Sequence, residues 1–274
     1  MNNQNIGNSY SLMNYDLTIQ LCKTFSLPLW YGCMLTAPRA RNKDDSNMAN
    51  YRLGSQDMEL FDLMKSIYAK DEADVTEISN YLRSVGIDVK MITAEGNTKA
   101  GHYKIGNSPY FIHKERGHYF EGIKNLVERS GQQIIFLDPD TGIAPINQEI
   151  SRTKGSSLLL TSEIRVIMNK VTDDSIIVIR QSMNNYFYKH EDRVKDLFNE
   201  LQANVVLLVD EVIQSGLFII TKSEGMNKAI INKLQHYLFG YKSLRNSSRI
   251  CLGYNEGDQV LIQSIDSFET EKQE

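Results

Sequence analysis

Short, continuously apolar runs alternate with stretches of helical spacing along most of this chain, and that alternation restricts it to an α/β fold on a mostly parallel sheet. The clearest run is Gln133-Ile134-Ile135-Phe136-Leu137, and others lie at residues 29–35, 88–93 and 175–180. Residues 176–179 are Ile-Ile-Val-Ile, as expected of a strand covered on both faces. Runs 205–211 and 216–222 are separated by no more than a turn. Parallel neighbours need a long crossover and antiparallel ones only a turn, so this pair predicts a late antiparallel strand. The C-terminal stretch predicts a strand, a turn at Asn255-Glu256-Gly257-Asp258 and another strand. Helical spacing predicts helices at 15–27, 55–68, 74–85, 114–130, 162–171, 191–201 and 226–239. Asp74 with Glu77 reads as a capping box, and Gly86 as a C-cap. Residues 95–109, rich in Gly, Asn and Lys, read as a loop. The sum is a three-layer, Rossmann-like α/β architecture.

The chain has 274 residues, and no linker rich in Pro, Gly or Ser divides it. One domain over 1–274 is expected, with a small helical insert at 55–86 and a polar tail at 267–274. A core of that size needs neither disulfides nor a structural metal. Cys22, Cys33 and Cys251 form no Cys-x-x-Cys pair and have no His cluster beside them, which argues against zinc. Sparse cysteines and a polar, Asn-rich start point to a reducing, cytoplasmic setting. The apolar runs are too short to cross a membrane. The net charge of −4 supplies no overall basic footprint for nucleic acid, which leaves only a local patch for that role.

In open α/β sheets, ligands bind outside the carboxyl ends of the strands. That rule selects the segments after Leu35, Leu137 and Arg180. The turn Asp138-Pro139-Asp140-Thr141-Gly142 is the most informative. Pro139 fixes φ and Gly142 permits a left-handed backbone, so a sharp exit from the strand is expected. Asp138 and Asp140 are close enough to repel, and a raised pKa on one of them suits acid/base work or cation binding. The same residues also make an ordinary solvated turn. In Arg116-Gly117-His118-Tyr119-Phe120, Arg116 is expected to pair with the turn acids or an anionic ligand. His118 offers acid/base chemistry, or is simply exposed beside a core Tyr119 and Phe120.

After Arg180, the amides of Gln181 and Asn184 suit paired hydrogen bonds to an amide- or base-like ligand. Arg39, Arg41 and Lys43, with Lys189, His190 and Arg193, offer a phosphate track, although Asp44 and Asp45 fit a solvated loop equally well. Glu163 either faces the same cleft or favours its helix N-terminus. There is no Gly-x-Gly-x-x-Gly after a strand, no Walker-type loop and no Gly-x-Ser-x-Gly.

The loaded turn after the fourth main strand and the late strand pair resemble the class I S-adenosylmethionine-dependent methyltransferase fold. In amino-methyltransferases acting on nucleic acid, that turn reads Asp/Asn-Pro-Pro-aromatic. Its first residue and backbone accept the amino hydrogens, and the aromatic stacks on the flipped base. Asp138 and Pro139 match; Asp140 stands in place of the second proline and Thr141 in place of the aromatic, so the stacking partner is missing. The resemblance implies S-adenosylmethionine as cofactor, with Thr36, Pro139 and Gly142 against it. Met34-Leu35-Thr36-Ala37-Pro38 lacks the glycines that let a backbone approach such a cofactor. Over most of its length the chain also resembles a set of uncharacterised bacterial proteins. These carry an Asp-Pro-Asp-Asn/Thr-Gly turn, an upstream Arg-x-x-Tyr-Phe, a Glu in the next helix and a Gln after the following strand. The matching positions are Arg116, Tyr119, Phe120, Glu163 and Gln181.

Three functions stay open at this point. The first is a divergent methyltransferase-like enzyme acting on nucleic acid or a nucleotide, with Asp138 as polar anchor, Asp140 as acid/base or orienting group, and Arg116 and Gln181 as substrate contacts. The second is a nuclease or phosphoesterase holding Mg²⁺ between Asp138, Asp140 and Glu163. The third is a catalytically degenerate binding or accessory module, for example in bacterial defence.

Overall fold

The computed structural model describes residues 9–34, 36, 57–70, 74–93, 102–104, 111–146, 157–183, 190–210, 215–240, 248–256 and 259–266. The chain opens with helix α1 (Ser9–Phe25), which leads into strand β1 (Leu29–Cys33). Helices α2 (Met58–Tyr68) and α3 (Val75–Ser84) follow, then strands β2 (Val89–Thr93) and β3 (His102–Lys104). Helix α4 (Arg116–Val127) precedes β4 (Ile134–Asp138), which runs into a two-residue ribbon of β5 (Gly142–Ile143) and β6 (Leu158–Leu159). Then come α5 (Thr161–Met168), β7 (Ile176–Ser182), α6 (His190–Leu201), β8 (Asn204–Asp210), β9 (Ser215–Thr221) and α7 (Glu224–Gly240), and a hairpin of β10 (Ser248–Glu256) and β11 (Gln259–Asp266).

Among the described residues, the main sheet has nine strands in the order β11-β10-β8-β9-β7-β4-β1-β2-β3. From β3 to β7 every pairing is parallel. Strand β9 enters antiparallel between β7 and β8, which is the late reversal that the short 211–214 connection demands. The hairpin adds a second reversed strand, β10, beside β8.

Side chains alternate across this sheet, and each face carries its own core. Tyr31, Phe136, Val178, Leu208 and Ile219 face the helices α1, α2, α3 and α7. Trp30, Ile135, Leu137, Ile177, Ile179 and Phe218 face α4, α5 and α6. The result is a three-layer, Rossmann-like α/β fold, with α2 and α3 filling the position of the small helical insert. Asp74 caps α3 by accepting from Thr76 N at 2.8 Å, whereas Glu77 pairs with Lys70. Gly86 ends that helix at φ +87°.

Two features depart from the sequence reading. Helix α1 begins before residue 15: residues 11–19 are all buried, so the polar Ser11 and Asn14 of the Asn-rich start belong to a helix enclosed by the fold. Strand β3 lies inside the stretch read as a loop; it is three residues long and, among the described residues, pairs with β2. No helix of the described residues is long and apolar enough to cross a membrane.

Candidate functional site

Strands β1 and β4 are neighbours, but the chain continues from β1 to β2 on one side and from β4 to β7 on the other. The gap between their carboxyl ends is therefore a topological switch point, where open α/β sheets hold ligands. Thr36, just beyond β1, donates from Oγ1 to Oδ2 of Asp140, just beyond β4, at 3.4 Å. That bond bridges the crevice. Asp140 and Thr141 are partly exposed there.

Asp138 closes β4 on the face covered by α1 and is only 2% exposed. The Tyr31 hydroxyl donates to its Oδ2 at 3.0 Å and is itself hydrogen-bonded to the Tyr15 hydroxyl. Tyr31 stacks on Phe136 with ring centroids 5.1 Å apart, and Tyr15 meets both rings edge-on. Arg180, at the same level of the adjoining β7, places Nη1 3.7 Å from Asp138 Oδ1. Burial pushes the Asp138 carboxyl above its usual range, and the Arg180 guanidinium pulls it partly back. Burial also drives the Tyr15 and Tyr31 hydroxyls well above their ordinary values.

The turn is fastened from several directions. Arg180 Nη1 donates to the carbonyls of Pro139 and Asp140 at 3.4 and 3.2 Å. Thr141 donates to Ser157 O and accepts from Ser182 N, at 2.8 and 2.9 Å. Gln181 Oε1 accepts from Ile143 N at 2.8 Å. Ala144 N donates to Leu159 O at 2.8 Å, and Arg193 donates to the carbonyls of Ile143 and Ala144. The backbone of this segment is thus largely engaged within the protein, which leaves the side chains of Asp140 and Thr141 to meet a ligand.

Gly142 sits at φ +123°, and a Cβ there would lie 2.4 Å from Gln181 Oε1. Gly142→Ala is expected to cost about 1–3 kcal/mol, through the left-handed backbone and the displaced Gln181, read as a lower urea midpoint.

Arg116 serves the same segment from beneath. It is buried and pairs with Glu163, Nη2 to Oε2 at 2.8 Å with a second bond from Nε to Oε1. Its Nη2 also donates to Leu158 O in β6, and its guanidinium lies 5.2 Å from the Phe111 ring centroid. Glu163 accepts from Leu160 N at 2.7 Å, closing the N-terminus of α5. Burial raises the Glu163 carboxyl above its usual range, with Arg116 opposing. Tyr119 OH donates to Cys33 O at the end of β1 at 3.1 Å.

The expected site residues therefore fall into distinct places. Thr36, Asp138, Pro139, Asp140 and Gly142 gather at the switch point. Arg116 meets Glu163, and the guanidinium beside the turn acids is that of Arg180. Gln181 turns its amide into the turn. His118 is exposed on α4. Arg193 is spent on backbone carbonyls. Arg39 and Asn184 lie outside the described residues, as do Arg41, Lys43 and Lys189. Asp138, Asp140 and Glu163 do not form the cation cluster considered for Mg²⁺: each is tied to a different partner, and no group of three or more potential metal ligands occurs among the described residues.

Tyr15, Tyr31 and Arg180 were missed by the sequence reading. A signal for Arg180 was present: Ile134-Ile135-Phe136-Leu137-Asp138 and Ile176-Ile177-Val178-Ile179-Arg180 are two five-residue runs that end on opposite charges, and their first four residues pair in that register.

No protein-family model matches the chain, and no curated protein matches it. Among solved structures it is similar to human methyltransferase-like protein 13 in complex with SAH, at 9% identity over 84% of this chain and 89% of that one, with a TM-score of 0.32. A likeness that shallow carries no functional argument; the fold class rests on the layers and strand order.

Proposed function

We propose that this is a divergent class I methyltransferase-like protein that binds S-adenosylmethionine in the crevice over β1 and β4 and acts on nucleic acid or a nucleotide. The observation that carries the reading is the Thr36–Asp140 bond across the switch point, which sets a partly exposed acid at the place where this class of sheet receives its ligand. Thr36 and Asp140 would hold the cofactor, with Pro139 and Gly142 shaping the wall, and the bound cofactor would supply an activated methyl group. Asp138 anchors the turn from below through Tyr31 and Arg180.

Calorimetry with S-adenosylmethionine tests this. Saturable heat is expected, with affinity falling at least about 10-fold, roughly 1.4 kcal/mol, in Asp140→Asn. Neither heat nor a thermal shift in the wild type removes the reading.

A second reading, a binding or accessory module, is favoured by the engaged backbone of the turn: the carbonyls of Pro139 and Asp140 already accept from Arg180. It expects Asp140→Asn to leave every activity unchanged while a surface substitution breaks partner binding.

A further inference from the structure

Side chains of the sheet alternate between its faces, and the face under α1 ends in a polar row at the carboxyl edge. Ile176 and Val178 of β7 and Leu217 and Ile219 of β9 belong to the core on that face, so Arg180 and Ser215 continue it outward. Asp138 does the same on β4 and Asp210 on β8. Ser248 of β10 lies opposite Asp210 and donates to its Oδ2 at 3.0 Å. None of these five residues is more than 9% exposed. Buried polar atoms are as a rule hydrogen-bonded. The middle of the row departs from that rule: among the described residues, Arg180 Nε and Ser215 Oγ have no hydrogen-bond partner. Neither the amide nitrogen nor the amide oxygen of Asn14, 1% exposed on α1, has one. The three belong to one neighbourhood. Ser215 stands directly across from Ser182, with Arg180 two positions back on the same face, a diagonal that separates Cα atoms by about 7–8 Å. Asn14 precedes Tyr15, whose ring meets Tyr31 and Phe136 one side-chain repeat below Asp138, and α1 also packs on β9. Two serines facing each other across β7 and β9 leave more room above the sheet than the Val178–Ile219 pair behind them.

We infer that the interior between α1, β7 and β9 is a water site, in which at least one ordered water joins Arg180 Nε to Ser215 Oγ and the Asn14 amide. Water matches this set of groups. It accepts from the guanidinium and amide N–H groups and donates to the hydroxyl and amide oxygens. A cation there meets Arg180, and an anion meets Asp138 and Asp210 on either side. The water completes the bonding of a guanidinium whose Nη1 already grips the carbonyls of Pro139 and Asp140. It therefore stands behind the frame of the turn, whatever the crevice binds.

A crystal structure of the full chain, at a resolution that places ordered water, is the direct test. The expected result is solvent density within hydrogen-bond distance of Arg180 Nε and of Ser215 Oγ or the Asn14 amide. A dry gap overturns the inference, as does an Arg180 Nε bonded directly to a protein acceptor. Urea unfolding of Ser215→Ala and Ser215→Thr supplies an independent sign. A hydroxyl stranded without water carries an unrepaid desolvation cost, so its removal in Ser215→Ala would raise the midpoint. A hydroxyl bonded to water is missed when it is removed. The expected result is a lower midpoint in Ser215→Ala, with Ser215→Thr, which keeps the hydroxyl, closer to the wild type. A midpoint in Ser215→Ala that is unchanged or higher than the wild type's overturns the inference.

Discussion

Glu163→Ala is expected to destabilise the fold by about 3–5 kcal/mol, because it leaves the Arg116 guanidinium buried without its counter-charge. The two side chains are only 8% and 11% exposed, so water cannot replace the lost carboxylate. The variant also frees Leu160 N at the start of α5 and loosens the hold of Arg116 on β6. The diagnostic companion is the double variant Arg116→Met with Glu163→Leu. Removing both charges together should restore most of the stability, since a buried pair gains little over an apolar packing of similar volume. Urea unfolding of the three proteins decides the matter. A cost below about 1 kcal/mol in Glu163→Ala would mean that the pair is hydrated and does not fasten the ribbon.

Arg180→Met is expected to cost a similar amount, about 3–5 kcal/mol at neutral pH, and that cost should depend on pH. The substitution strands the Asp138 carboxylate and strips a donor from the carbonyls of Pro139 and Asp140. The sign follows from proton binding. Burial holds the Asp138 carboxyl above its unfolded value, so on acidification the native state takes up a proton before the unfolded chain does. This group's contribution to stability therefore falls as pH rises from the ordinary carboxylate range, about 3.9, through the folded value. Without Arg180 the folded value rises further. The gap between variant and wild type should thus be widest at neutral pH and narrow as pH falls. Urea midpoints measured across that span test it; a gap that stays constant would show that Asp138 is not the group left unpaired.

The architecture was largely legible because it depends on apolar period and on connection length. Ile176 to Ile179 could only be a doubly covered strand, and four residues between β8 and β9 could only serve antiparallel neighbours. The position of the Asp138–Gly142 turn at the carboxyl edge of the sheet was legible for the same reason: Asp138 ends a buried strand. The partners of its residues were not. Which cation meets Asp138 depends on which strand lies beside β4 and in what register, and a single sequence specifies neither. Arg116 was assigned to the turn acids by residue type, yet three-dimensional proximity gives it Glu163. Gln181 looked like a ligand contact because it follows the predicted strand end, but the missing Cβ at Gly142 leaves room for its amide to lie in the turn, where its Oε1 accepts from Ile143 N. Tyr15 gave no signal at all, because a hydroxyl in a helix pattern reads as surface until the helix is known to be enclosed.

The largely engaged backbone between Pro139 and Ala144 separates two properties that many binding loops combine. Among the described residues, the partly exposed side chains of Asp140 and Thr141 stand apart from the groups that fasten the turn, which are Arg180, Arg193, Gln181 and the β5–β6 ribbon. Chemical preference at positions 140 and 141 is therefore free to drift or be redesigned, while the geometry presenting it stays fixed.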